Sequence, residues 1–180
     1  MYIGDDCSIG NCCSISEGVT IGNRVKIGNN VVIRSGVWLS DDCVIGHGTV
    51  FEGMAFVGED TLIHAQCHIT RGAQIGSKVF IAPLFVGAND PLCMRRKFID
   101  GQPEFVPVPY CIGDGVRIGI GVVLLPGVVV GDNAQIAAGS IVTKDVAPGT
   151  LVMGVPAKFS RNVREKVHLK EKASRRRING

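Results

Sequence analysis

The sequence predicts an all-β chain whose short parallel strands wind into a three-sided coil, and three observations carry that reading. Counting by six from Ile3, every position through Ile81 is apolar, fourteen in succession, and six more follow from Ile112 to Val142. The fourth residue after each is almost always small, as at Cys7, Val19, Cys43, Thr61, Val116 and Ser140. A glycine often stands directly behind the large residue, as at Gly4, Gly22, Gly46, Gly76 and Gly131, where the chain can turn without a Cβ in the way. A strand alternates with period 2 and a helix with 3.6, so a period of six fits neither alone. One short strand plus one corner takes six residues, three such units close a coil, and twenty units make about seven coils.

Taken in order, the N-terminal hexads place Cys7, Cys13, Cys43 and Cys67 at the small inward position, which makes them packing residues. The seven cysteines contain no C-x-x-C pair and are odd in number, and the start MYIGDD has no basic and apolar leader. A reducing, cytoplasmic setting is therefore expected. No apolar run reaches the length of a membrane span.

Within the regular coils, "LIHAQCHI" departs from the pattern. His64 replaces the usual glycine and His68 ends the same hexad, so both side chains should point outward with Gln66 between them. The phase is then lost at Gly87. A 25-residue excursion runs from Gly87 to Cys111, with the basic cluster Arg95-Arg96-Lys97 in its first half and Pro103, Pro107 and Pro109 in its second. A long loop inside a regular coil is expected to carry function. The hexads resume at Ile112 and stop at Pro148. We therefore divide the chain into a coil over 1–154, with its insertion at 87–111, and a basic tail over 155–180. That tail holds nine Lys/Arg against two Glu, whereas the remainder holds ten basic and fourteen acidic residues. Phe159, Val163 and Val167 are spaced by four, which predicts a short C-terminal helix capping the coil. Without interleaved aromatics the basic run is not expected to bind nucleic acid.

With these motifs in hand, the chain resembles the hexapeptide-repeat acyltransferases, which implies a left-handed parallel β-helix. The ending "IVTKDVAPGTLVMGVPAKF" is similar to that superfamily's C-terminal signature. More narrowly, "VFIAPLFVGANDP" resembles the acetyl-CoA-dependent N-acetyltransferases of nucleotide-linked amino sugars, although His64-Ala65-Gln66 stands where that branch has Gln-Asn-Asn. The resemblance implies a cytoplasmic homotrimer with active sites between neighbouring coils, and acetyl-CoA as co-substrate without a metal. It implies a catalytic role for His64, as base or orienting group, and for Asn89. Gln66, His68, Asp90, Arg95 and Arg96 are expected to bind the sugar. Gly121, Ala138 and Gly139 would let the coenzyme's arm approach the backbone, with Lys144 and Lys158 on its phosphates. Two alternatives stand beside this reading. An O-acetyltransferase of the same family would carry a Thr-His-Pro at the loop, where this chain has Ala88-Asn89-Asp90-Pro91. A γ-class carbonic anhydrase would need three histidines around a shared zinc, two of them five apart, whereas His64 and His68 are four apart.

Overall fold

The computed structural model of the chain describes residues 1–93, 98–99, 102–103 and 107–163. Each hexad contributes a two-residue strand and a four-residue corner, beginning with Tyr2–Ile3, Ser8–Ile9 and Ser14–Ile15 on three successive faces. Each strand pairs in parallel with its counterpart one coil on, so Ile3 stands beside Ile21, Ile21 beside Leu39 and Ile63 beside Ile81. The first face stacks Tyr2–Ile3, Thr20–Ile21, Trp38–Leu39, Phe56–Val57, Gln74–Ile75, Cys111–Ile112 and Val129–Val130. Seven complete coils result. A partial eighth follows, in which Val146 bridges to Val130 and Thr150–Met153 pairs with Gln135–Ile136. This is the parallel β-solenoid that the period of six demands.

The interior follows from the large-and-small rule. Ile21, Ile33, Leu39, Ile63 and Ile81 are fully buried, and burying one such side chain contributes about 1.5–3 kcal/mol. The small inward residues also serve the backbone. The Cys43 thiol donates to the Gly58 carbonyl and the Thr61 hydroxyl to that of Gly76, each fifteen residues on. Inward Cys and Thr are thus compact donors to the corner above, whereas the Ser140 hydroxyl accepts from Gly154 N–H.

The corner glycines obey a rule that the period of six does not reveal. They follow the inward residue on two of the three edges. The first edge runs Gly4, Gly22, Ser40, Gly58, Gly76, Gly113 and Gly131, and the second runs Gly10, Gly28, Gly46, His64, Ala82, Gly119 and Ala137. A Cβ on Gly58 would lie 2.6 Å from both the Gly76 carbonyl carbon and the Ser77 nitrogen, inside the backbone of the next coil. The third edge carries Ser16, Arg34, Glu52, Thr70 and Ala88 at the same place. Its corners admit full side chains.

Two expectations change. The strand phase is not lost at Gly87, since Val86–Gly87 pairs with Val123–Leu124. What changes is the filling: Tyr110, where the insertion returns, is fully buried, and its ring stands where a Gly87 side chain would project. It meets Phe85 edge-to-face at 5.8 Å. The interior is continuous because an aromatic at the small position offsets a glycine at the large one. In the tail, Lys158–Asn162 is a strand rather than the start of a helix, antiparallel to Thr150–Met153. The last parallel strand leaves an open row of backbone groups, and a returning strand pairs with it. Val167 and the remainder of the expected helix lie outside the described residues.

Gly58→Val should destabilise the fold by about 1–3 kcal/mol, read as a lower urea midpoint at unchanged slope. Tyr110→Ala should cost about 3–5 kcal/mol. Tyr110→Phe should cost far less, about 1 kcal/mol, because it keeps the ring and removes only the buried hydroxyl that faces Thr70. Burial pushes the Cys43 thiol up to about 11 and raises that of Cys67 as well. Cys12 and Cys93 are exposed. A thiol reagent applied at about pH 8 to the native chain should therefore label Cys12 and Cys93 and spare Cys43 and Cys67, by peptide mass mapping. A folded-state value raised in this way makes the contribution of the protonated Cys43 thiol complete below the ordinary thiol range. It is lost as pH climbs through about 11.

Candidate active site on the third face

The outward column of the third face reads Ser14, Val32, Val50, His68, Val86, Val123 and Ile141. His68 is the one titratable side chain in this otherwise mostly aliphatic strip. Its strand places it beside Val50 and Val86, one coil below and one above. Its Nε2 lies 2.9 Å from Glu52 Oε1, with both side chains about two-fifths exposed or less. A carboxylate that accepts from Nε2–H leaves Nδ1 as the acceptor of a second proton. Glu52 comes from the third edge, where the absence of corner glycines gives a carboxylate room to fold back over the face. Period-six counting passed over Glu52, and its place at a non-glycine corner was the available signal.

The insertion leaves the coil at that same edge. The Asn89 side-chain amide donates to the Arg71 carbonyl at 3.0 Å, and the Asn89 carbonyl accepts from Val108 N–H at 2.9 Å. Through these bonds Asn89, expected at the reacting amine, joins the two ends of the loop to the coil below. The Asp90 carboxylate accepts from the backbone N–H groups of Leu92 and Cys93, both at 3.0 Å, and shapes the first turn of the loop. Further out, Phe98–Ile99 and Gln102–Pro103 pair antiparallel. Arg95 and Arg96 lie outside the described residues.

His64 and Gln66 stand on the opposite border of the third face, at the second edge. The half-buried His64 ring packs edge-on against Phe80 at 5.4 Å, and its carbonyl accepts from the Thr49 hydroxyl. Replacing the corner glycine loosens this edge. The bond between adjacent coils is 2.8 Å from Gln66 N–H to His47, and 3.2 Å from Leu84 N–H to Ala65. The two histidines therefore turn to different neighbours. Among the described residues no group of three or more His, Cys, Asp or Glu could hold a metal ion.

Directly above Gln66 the same column holds Leu84, Gly121 and Gly139, all with left-handed backbone angles between 58° and 67°. An added Cβ at Gly121 or Gly139 would meet nothing within 4 Å, in contrast to Gly119, where it would strike Ala138. The upper second edge is thus an open backbone track flanked by the exposed Leu84 and Ile120. Lys144 and Lys158, far apart in sequence, line one groove of about 360 Å³ with Asp145, Thr150 and Phe159. That groove lies under the strand pair closing the eighth coil. Among the described residues neither lysine has a carboxylate partner within 4.0 Å.

Comparison with known proteins agrees with the repeat. The bacterial transferase hexapeptide (six repeats) family matches residues 1–35, 18–53 and 112–144. Galactoside O-acetyltransferase of Escherichia coli is 46% identical over 95 residues, which is 51% of this chain and 45% of that protein. A solved galactoside acetyltransferase in complex with coenzyme A is 30% identical, covering 69% of this chain and 64% of that one with a TM-score of 0.58. A maltose O-acetyltransferase from Clostridium difficile 630 is 25% identical over 88% of this chain and 70% of that one, with a TM-score of 0.53. The chain spans about half the length of the curated relatives it matches.

His64→Ala removes an edge contact and no described polar bond of the ring, so its melting temperature should stay within a few degrees of the parent, measured by circular dichroism. A collapse of the fold would show that the loosened second edge depends on this ring.

Proposed function

We propose that this chain of bacterial-transferase hexapeptide repeats is an acetyl-CoA-dependent acetyltransferase of carbohydrate acceptors. In its finer form, the acceptor is the amine of a nucleotide-linked amino sugar. The observation that carries the reading is the His68–Glu52 pair, 2.9 Å apart on an aliphatic face at the root of the long loop. Acyl transfer needs a proton acceptor beside the attacking group. Glu52 fixes the tautomer, His68 takes the proton from the amine at Nδ1, and the flanking Val50 and Val86 keep water from competing. His64, with Gln66, borders the face on the far side and orients the sugar. It is the alternative base. Asn89 and Asp90 fix the start of the loop, and Arg95 and Arg96 are proposed to bind the acceptor.

The coenzyme would supply a thioester-activated acetyl group. The track at Gly121, Ala138 and Gly139 fits a long arm because no side chain obstructs it, and the groove shared by Lys144 and Lys158 fits phosphate. The column from Gln66 to Gly139 spans three coil steps, roughly 14 Å at the spacing of paired strands. The coenzyme complex of the similar galactoside acetyltransferase supports this assignment. Assembly as a homotrimer and a cytoplasmic location are part of the same proposal and rest on the family resemblance and the cysteine usage of the sequence. Among the described residues no helix is long and apolar enough to cross a membrane.

A second reading, transfer to a sugar hydroxyl, is favoured by the same pair, because an alcohol needs a base more than a neutral amine does. The O-acetyltransferase names of two relatives support it. The test is single-turnover transfer from acetyl-CoA to a panel of amino sugars, nucleotide-linked amino sugars and neutral glycosides, with products read by mass. His68→Ala should lower the rate about 10²–10⁴-fold while leaving coenzyme A affinity unchanged. Glu52→Gln should lower it less and alter the pH profile. Loss of transfer with His64→Ala and not with His68→Ala would move the base to His64. Absence of coenzyme A binding would overturn the acetyltransferase reading altogether.

A further inference from the structure

The left-handed corners of the second edge form one column, Cys12, Asn30, Gly48, Gln66, Leu84, Gly121 and Gly139. The fold imposes the angle on each of them, so what calls for a reason is the residue chosen. Leu84 is the unexpected choice. A left-handed angle crowds a Cβ against the following carbonyl, a cost that glycine avoids and asparagine offsets with a local hydrogen bond. Leucine, here at φ 63°, does neither, and its side chain is 48% exposed, so burial does not compensate. Met54, the other large apolar residue at a described left-handed corner, lies on the third edge against the Arg71 guanidinium. Above Leu84 the column is open, since a Cβ at Gly121 or Gly139 would meet nothing within 4 Å. Gly121 N–H donates to the Pro83 carbonyl at 3.0 Å, which sets the Ile120–Gly121 corner directly on that of Leu84. Leu84 is therefore the first side chain below the two bare glycines. Ile120, one corner up, and Val86, two residues on, are also exposed, and Val86 stands in register with His68. Three exposed aliphatic side chains thus mark the place where the open track reaches the face carrying His68 and Glu52.

We infer that Leu84 is a specificity-determining residue, which ends the track and limits the donor's acyl group to acetyl in preference to chains of four or more carbons. An arm lying over Gly139 and Gly121 brings its acyl end to the exposed aliphatic side chains of Leu84 and Val86. A methyl group covers part of that apolar surface and removes it from water. A longer chain has to displace the Leu84 side chain, and Leu84 is tied to the coil below through its N–H and the Ala65 carbonyl. Removing that side chain would extend the open track by one coil step, about 4.8 Å, room for several methylene groups before Gln66. Glycine at this corner also suits the left-handed angle, so the space is gained without strain. This inference rests on the reading that coenzyme A lies along the second edge. It names the class of acyl donor.

Calorimetric titration of the full chain with coenzyme A, acetyl-CoA, butyryl-CoA and hexanoyl-CoA tests it, alongside Leu84→Gly, Leu84→Ala and Met54→Gly. The parent should bind acetyl-CoA about as tightly as coenzyme A, and hexanoyl-CoA at least about tenfold more weakly, the effect of forcing extra methylenes into a filled site. Leu84→Gly should remove that difference and leave coenzyme A affinity unchanged. Leu84→Ala, which gives the backbone no added freedom, should narrow it in the same direction. Met54→Gly relieves the same kind of corner away from the track and should preserve the difference. Melting temperatures read by circular dichroism should stay within a few degrees of the parent for all three, which separates gained space from a loosened fold. Hexanoyl-CoA binding the parent as tightly as acetyl-CoA does, or a difference that persists in both Leu84 variants, overturns the assignment and leaves the acetyltransferase reading intact. So does a difference that also vanishes in Met54→Gly. Absence of binding by coenzyme A and all three thioesters overturns that reading, and the assignment with it.

Discussion

Everything in this molecule depends on the stacking of one coil on the next at a spacing of eighteen residues. Each strand is two residues long, far too short to persist alone, and is held by backbone bonds of 2.8–3.0 Å to the coil above, such as Ser8 N–H to Val25 and Gly28 N–H to Ile45. The bonds form only if the corners also nest. On two edges most corners nest so closely that a Cβ would enter the neighbouring backbone, which is why glycine recurs there. The interior side chains then fill a prism whose dimensions the backbone has already set. This order of dependence explains why valine, threonine, cysteine and alanine exchange freely inside while the corner glycines recur.

The third edge is released from that constraint, and the chemistry collects there. Arg34, Glu52, Thr70 and Arg71 occupy corners that elsewhere carry glycine or capping acceptors, and the insertion departs from the same line. Where backbones approach less closely, long side chains have space to fold over a face. Glu52 uses it to reach His68. On the second edge, His64 and Ala82 relax the packing of an otherwise glycine-rich column, and the open track at Gly121 and Gly139 continues above them. The working face is therefore framed by one edge with no glycine directly after the inward residue and one partly loosened. The first edge, closed by Asn23, Asp41, Asp114 and Asp132, is scaffold. There the Asn23 N–H holds the Asp41 carboxyl below the usual carboxylate range.

The repeat, the coil count, the inward cysteines and the position of the insertion were legible in the sequence, because each is a consequence of strict six-residue spacing. His68 was legible as an outward residue, and the pairing of Lys144 with Lys158 followed from the family signature. Glu52 was not, since its meaning depends on distinguishing the three edges, and a period of six treats all corners alike. Tyr110 was hidden for a related reason. It fills a gap left by Gly87, twenty-three residues earlier, and no local spacing connects the two. The tail misled because a spacing of four suits a helix only when nothing else offers hydrogen bonds. Here the open edge of the eighth coil did.

The insertion also has a consequence for how the chain comes together. Neighbouring coils elsewhere join residues eighteen apart, whereas the fifth and sixth coils join residues thirty-seven apart, as between Ser77 and Asp114. Doubling a loop adds only about 0.6 kcal/mol of closure entropy. In a linear array, where each unit is stabilised by its neighbours alone, that cost falls entirely on one junction. The junction between the fifth and sixth coils is filled by Tyr110 packed beside Phe85. The insertion thus divides the array into a block of five coils and a block of two, and makes their junction the place where assembly and unravelling both change pace.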